Sequence, residues 1–180
     1  MVKVGIIGAS GYAGVELYRL LLNHRHVEIV AISSQSYEGE MISDLYPSFY
    51  GVFDMTFTND QEVIKKADMI FASLPHGLSE KYAKQCDEQG KKFIDLGADF
   101  RLDQEKDYQQ WYQHDYQYPQ LHEKQVYGLS EVNREQIKQA SIIGNPGCYP
   151  TSITLGLYPL LKNHMQKDEK IIIDSKSGTT

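Results

Sequence analysis

A chain of 180 residues with 41% hydrophobic and 23% charged content is long enough for one complete domain and the start of another, and too apolar to be disordered. A net charge of -6 and a pI near 5.5 argue against the basic surface that nucleic-acid or membrane-surface binding requires, and no window of about 20 apolar residues exists to span a bilayer. Val2-Lys3-Val4-Gly5-Ile6-Ile7-Gly8 is too short and glycine-broken for a signal segment, and two cysteines in unlike settings make neither a disulfide framework nor a metal site. The expected setting is therefore a reducing cytoplasm, with no metal.

Val2 to Ile7 reads as a strand and Tyr12 to Leu22 as a helix, joined by Gly8-Ala9-Ser10-Gly11-Tyr12-Ala13-Gly14. A glycine pattern between a strand and a helix is a dinucleotide hypothesis: Gly8 permits the tight turn, Gly11 lets backbone N–H groups reach a pyrophosphate, and Gly14 lets the helix pack closely. Ser10, Tyr12 and Ala13 fall in the same loop and are expected beside the cofactor. Val27 to Ser33 reads as the second strand and ends in Ser33-Ser34-Gln35-Ser36, where an NAD-selective site would carry a carboxylate for the ribose 2′-OH. Hydroxyls without a repelling charge favour NADP, with Ser33 and Ser34 as contacts; the alternative is a plain polar loop.

Next come a helix from Asp60 to Lys66, a strand from Asp68 to Leu74, a helix from Leu78 to Gln89 and a strand from Lys91 to Leu96. This alternation predicts an α/β fold, a doubly wound Rossmann-type parallel sheet with helices on both faces. Cys86 shares helical spacing with Leu78 and Tyr82 and reads as core. His76 follows the carboxyl end of a strand, the edge where ligands bind; it is either close to the nicotinamide or a loop histidine bonded to backbone. The polar, aromatic stretch from Asp107 to Tyr127 interrupts the rhythm, as a surface excursion packed through its own rings or as a lid.

The rhythm resumes with a helix from Asn133 to Gln139, a strand from Ser141 to Gly144, a helix from Thr151 to His164 and a strand from Lys170 to Asp174. Ile143-Gly144-Asn145-Pro146-Gly147-Cys148-Tyr149-Pro150-Thr151 sets Cys148 just after a strand at the expected start of a helix. Free N–H groups and the positive dipole end there favour a thiolate and can hold an oxyanion. Ser175 to Thr180 stops in a turn directly after a strand, so the chain is expected to be the amino-terminal part of a longer polypeptide. Residues 1–150 are assigned to the NADP-binding domain. Residues 151–180 are assigned to the cysteine helix and the start of a second, substrate and dimerisation domain that is largely absent.

A nicotinamide site beside an activated thiol suggests reduction at the acyl level, with the acyl group held as a thioester. Six segments then carry a family resemblance: Gly8 to Gly14, Leu74-Pro75-His76-Gly77, Asp95-Leu96-Gly97-Ala98-Asp99-Phe100-Arg101, Tyr127-Gly128-Leu129-Ser130-Glu131, Asn145 to Thr151, and Asp174-Ser175-Lys176-Ser177-Gly178. In that order they resemble the amino-terminal part of the N-acetyl-γ-glutamyl-phosphate reductase family, within the aspartate-semialdehyde dehydrogenase superfamily. The resemblance implies NADPH-dependent reduction of N-acetyl-γ-glutamyl phosphate to N-acetylglutamate semialdehyde, with release of inorganic phosphate, in arginine biosynthesis.

It further implies Cys148 as nucleophile; Arg101, Asn145 and Glu131 as substrate contacts; and Ser177 and Gly178 as part of the cofactor site. For Arg101 the alternative is a surface residue paired with Asp99 or Asp103, and for Glu131 a structural acid at a helix start. The family's general acid/base is a histidine expected beyond Thr180, and the full-length protein is expected to be a homo-oligomer. The 180-residue piece alone is expected to bind NADP with little or no turnover. The competing readings are a sister reductase acting on aspartyl or carrier-linked aminoadipyl phosphate, and a non-catalytic dinucleotide sensor in which Cys148 is structural.

Overall fold

The computed structural model describes residues 1–165, 170–176 and 178. Alternate residues of β1 (Val2–Ile7) feed two separate cores: Val4 and Ile6 pack with Tyr18, Ile42 and Phe49 on one face, and Ile7 with Ile64, Ile70 and Phe93 on the other. A strand buried on both faces needs helices above and below it, the arrangement of a parallel sheet.

That sheet contains β2 (Val27–Ile32), β3 (Met69–Ala72), β4 (Lys92–Asp95), β5 (Gln125–Tyr127) and β6 (Ile142–Gly144), in the order β2-β1-β3-β4-β6-β5. Every pairing is parallel. The helices are α1 (Tyr12–Leu21), α2 (Ile42–Leu45), α3 (Asp60–Lys66), α4 (Glu80–Glu88), α5 (Glu105–Tyr112), α6 (Pro119–His122), α7 (Ser130–Gln139) and α8 (Cys148–Lys162). The doubly wound Rossmann-type sheet expected from the alternation is thus present, and α3 matches its expected range residue for residue. Its start is marked by Asn59, whose Oδ1 accepts the Glu62 N–H at 3.0 Å.

The aromatic excursion packs through its own rings, one of the two alternatives read from sequence: it holds α5, α6 and the edge strand β5, with Tyr108 fully buried against Tyr112 and Tyr116. Two expectations change. The cysteine helix starts at Cys148, three residues earlier than expected, with Pro150 inside its first turn. The strand expected from Lys170 to Asp174 does not form. Ile171, Ile172 and Ile173 lie exposed, and no described strand runs alongside to supply the hydrogen-bond ladder a strand requires. Likewise α8 is apolar along its length yet buries no residue.

Cys86 is fully buried, and that burial pushes its thiol up to about 12, with the charge of Lys91 opposing only in part. Leu78, expected on the same packed face, is instead 44% exposed because α4 begins only at Glu80.

Candidate active site

β1 lies between β2 and β3, so the loops leaving their carboxyl ends diverge and open a cleft at the point where the winding reverses. Gly8 has φ +72°, and a Cβ there would stand 2.2 Å from the Ser73 carbonyl oxygen; Gly14 would collide with Ala9 at 2.5 Å. Only glycine lets the loop after β1 pass this close to β3 and α1 pack this close to the loop. The Tyr18 hydroxyl, donating to the Ala9 carbonyl, ties α1 down from beneath. Above Gly11 the nearest atom to a Cβ is 4.0 Å away, which leaves open space where a pyrophosphate would approach.

The cleft measures about 460 Å³ and is lined by Gly8, Ser10, Gly11, Ser34, Gln35, Ser36, Ser73, Leu74, Pro75, Leu78, Lys81 and Tyr82. Ser10 and Ser34 join its two walls through hydroxyls 2.8 Å apart. Ser33 does not reach it: that residue is fully buried and donates to Asp60 Oδ1 at 2.6 Å. Tyr12 and Ala13 are exposed at the start of α1. Ala13 lines a second groove of about 600 Å³ that runs past Leu96 and Arg101 to Asn145 and Cys148, linking the glycine loop to the thiol. His76 is exposed, its ring 5.6 Å from that of Tyr112 and 5.4 Å from that of His114. Gly178 stands in open space away from the cleft, and Ser177 lies outside the described residues. Lys81 escaped the sequence reading, although a lysine in the first turn of a helix beside a glycine loop was a usable signal.

Cys148 is exposed and is the first residue of α8. Gly147 caps the helix, its carbonyl accepting both the Thr151 N–H at 3.0 Å and the Thr151 hydroxyl at 2.8 Å. Pro150 has no N–H, and the N–H groups of Cys148 and Tyr149 in this first turn have no acceptor among the described residues. Together with Arg101, Leu102, Asp103, Tyr112, Tyr127 and Gly147 they border a cavity of about 610 Å³.

Arg101 reaches this cavity held by two carbonyls: its Nε donates to Asn145 O at 2.8 Å and its Nη2 to Leu96 O at 3.0 Å. Among the described residues it pairs with neither Asp99 nor Asp103, so the surface ion pair considered from sequence is not formed. A guanidinium clamped by neutral groups keeps its full charge for an anion entering beside Cys148. Asn145 acts through its backbone, accepting from Arg101 and donating its N–H to Asp95 O at 2.8 Å. Glu131 is exposed in the first turn of α7, outside the residues bordering the cavity.

The loop that carries Arg101 hangs on two buried carboxyl groups not singled out from sequence. Asp95 accepts from the Ser79 hydroxyl at 2.6 Å and from the N–H groups of Gly97 and Asp99 at 3.0 and 3.1 Å. Asp99 accepts from the N–H groups of Gly77 and Ser79 at 2.6 and 2.8 Å and from the Tyr108 hydroxyl at 2.8 Å. Burial pushes Asp95 up to about 6, the neighbouring Asp99 adds to this, and the bonds from Ser79 and the backbone oppose it.

A carboxyl whose folded value lies above its free value of 3.8 binds its proton more tightly in the folded state. Its contribution to stability is therefore largest at low pH and is lost as pH rises through the folded value. Unfolding midpoints compared at about pH 5 and about pH 7 should show Asp95→Asn removing a stabilisation that the native chain gains on mild acidification. An unchanged pH slope in the variant would show that Asp95 is not its source.

Against known proteins, the semialdehyde dehydrogenase NAD-binding domain matches residues 3–140, and the semialdehyde dehydrogenase dimerisation domain matches residues 148–180. An N-acetyl-gamma-glutamyl-phosphate reductase of Clostridium botulinum (strain Eklund 17B / Type B) is 56% identical over 180 residues, covering all of this chain and 52% of the relative. One from Clostridium beijerinckii is 54% identical with the same coverage. The chain thus spans about half the length of the curated relatives it matches. The crystal structure of an aspartate semialdehyde dehydrogenase II from Vibrio cholerae, complexed with ASA, shares the fold with TM-score 0.66 at 22% identity, over 90% of this chain and 47% of that one.

Proposed function

Because the chain belongs to the semialdehyde dehydrogenase family through its NAD-binding domain, we propose that it is the nucleotide-binding and thiol-bearing part of an NADP-dependent N-acetyl-γ-glutamyl-phosphate reductase. The observation that carries this reading is the shared cavity of Cys148, at a helix start, and Arg101, whose guanidinium has no carboxylate partner among the described residues.

The Cys148 sulfur attacks the acyl-phosphate carbonyl carbon. The N–H groups of Cys148 and Tyr149 hold the developing oxyanion, and inorganic phosphate departs under the Arg101 guanidinium, leaving a thioester on sulfur. Gly8, Ser10, Gly11 and Ser34 line the cleft that would hold NADPH, which when bound would supply the hydride that reduces this thioester. The resulting thiohemiacetal expels the Cys148 thiolate and releases the semialdehyde. The apolar, unburied faces of α8 and of Ile171 to Ile173 suit docking onto the remainder of a dimerisation domain, in a homo-oligomer. The cytoplasm is the proposed setting; no helix of the described residues is long and apolar enough to cross a membrane.

The full natural polypeptide should reduce NADP with N-acetylglutamate semialdehyde only when phosphate is present. Reduction with aspartate semialdehyde instead would overturn the substrate assignment. In the same assay Arg101→Leu should raise the KM for phosphate by roughly 10- to 100-fold, the size of one lost charge-assisted contact. An unchanged phosphate response would remove Arg101 from the anion site.

A further inference from the structure

We propose that Lys81 is the residue that makes the cofactor cleft selective for a 2′-phosphorylated adenosine, an inference that rests on the NADP reading above. The glycine loop and the wall formed by Ser34, Gln35 and Ser36 are neutral, and among the described residues Lys81 is the one charged residue bordering the cleft. A 2′-phosphate placed at the end of β2 meets the hydroxyls of Ser34 and Ser36, which can bond it but cannot neutralise its charge. Asp60, the acid behind that wall, has both oxygens occupied by the Ser33 and Tyr82 hydroxyls.

The position of Lys81 has no explanation in helix stability. It is the second residue of α4, where the helix dipole disfavours a cation. Lys65, Lys66, Lys84, Lys124 and Lys138 each pair with a carboxylate, whereas Lys81 pairs with none among the described residues. Its Nζ instead stands 4.6 Å from the centre of the Tyr82 ring, another cleft residue. The stem is thereby steadied while the ammonium remains free for an anion arriving in the cleft.

The test titrates 2′,5′-ADP and 5′-AMP into the full natural polypeptide and into Lys81→Ala and Lys81→Arg, by calorimetry, so that no turnover is needed. Lys81→Ala should weaken 2′,5′-ADP by about 10- to 30-fold and change 5′-AMP by less than about 2-fold, while Lys81→Arg keeps the preference. Unaltered 5′-AMP binding also shows that the cleft has folded. Equal weakening of both probes would place Lys81 on the 5′-phosphate and overturn the proposal, as would an unaffected 2′,5′-ADP affinity in Lys81→Ala. A native protein that binds the two probes equally would overturn the NADP reading itself, and this assignment with it.

Discussion

Cys148→Ala in the full natural polypeptide should lower phosphate-dependent reduction of NADP by roughly four orders of magnitude or more, the scale on which removal of a covalent nucleophile acts. The two cysteines make this test sharp, because they occupy opposite environments on one sheet. Cys148 is exposed at the first residue of α8, beside donors that no helix bond uses and within the cavity that Arg101 borders. Cys86 is sealed in the core with its thiol pushed up to about 12, and only the thiolate attacks carbon. Iodoacetamide should therefore label Cys148 and spare Cys86, and saturating substrate should protect the label site. Cofactor affinity should survive Cys148→Ala, since the cleft after β1 does not include α8. A variant retaining more than about a tenth of native activity would sink the thioester route. Slow labelling together with NADPH binding and no turnover in the native protein would favour the dinucleotide sensor.

How far the fold could be read ahead depended on length and repetition. The last four residues of β1 are buried, Val4 and Ile6 in one core and Ile7 in the other, and α3 carries both an asparagine cap and terminal charges of the favourable sign, so each announces itself locally. Gln125-Val126-Tyr127 is too short for any period to show, and it becomes a strand only because β6 lies beside it. Lys170 to Asp174 fails in the opposite sense: the local preference for strand is strong, but among the described residues no strand runs next to it. At the site, residue type and spacing located Cys148 and the glycine loop, while orientation stayed hidden. Ser33 and Ser34 are adjacent hydroxyls on a strand end, and the alternation of side chains sends the first to Asp60 and the second to the cleft. The partners of Arg101 are backbone carbonyls, which no sequence pattern displays.

Asp99→Ala should cost on the order of 3 to 5 kcal/mol of stability, since it strands several buried donors at once. The N–H groups of Gly77 and Ser79 and the hydroxyl of Tyr108 all point at this one carboxyl, which is fully shielded from water. Tyr108→Phe deletes a single one of these bonds and should cost only about 1 kcal/mol. Asp99→Asn should fall between the two, because its amide keeps one acceptor oxygen but turns an NH₂ group toward a donor. The loss should also be local. Asp99 joins the turn after β3, the segment leading to Arg101 and helix α5, so hydrogen exchange should quicken first at the Gly77 and Ser79 amides. Because Arg101 lies two residues beyond Asp99, the KM for phosphate should rise even in assays cold enough to keep the variant folded, with a smaller change in kcat. Removal of Asp99 also takes away a neighbouring charge that raises Asp95, so the gain in stability on mild acidification should shrink. Urea midpoints for the four proteins decide the matter: if Asp99→Ala costs no more than Tyr108→Phe, water must enter to satisfy the two N–H groups, and the carboxyl is not what holds the loop.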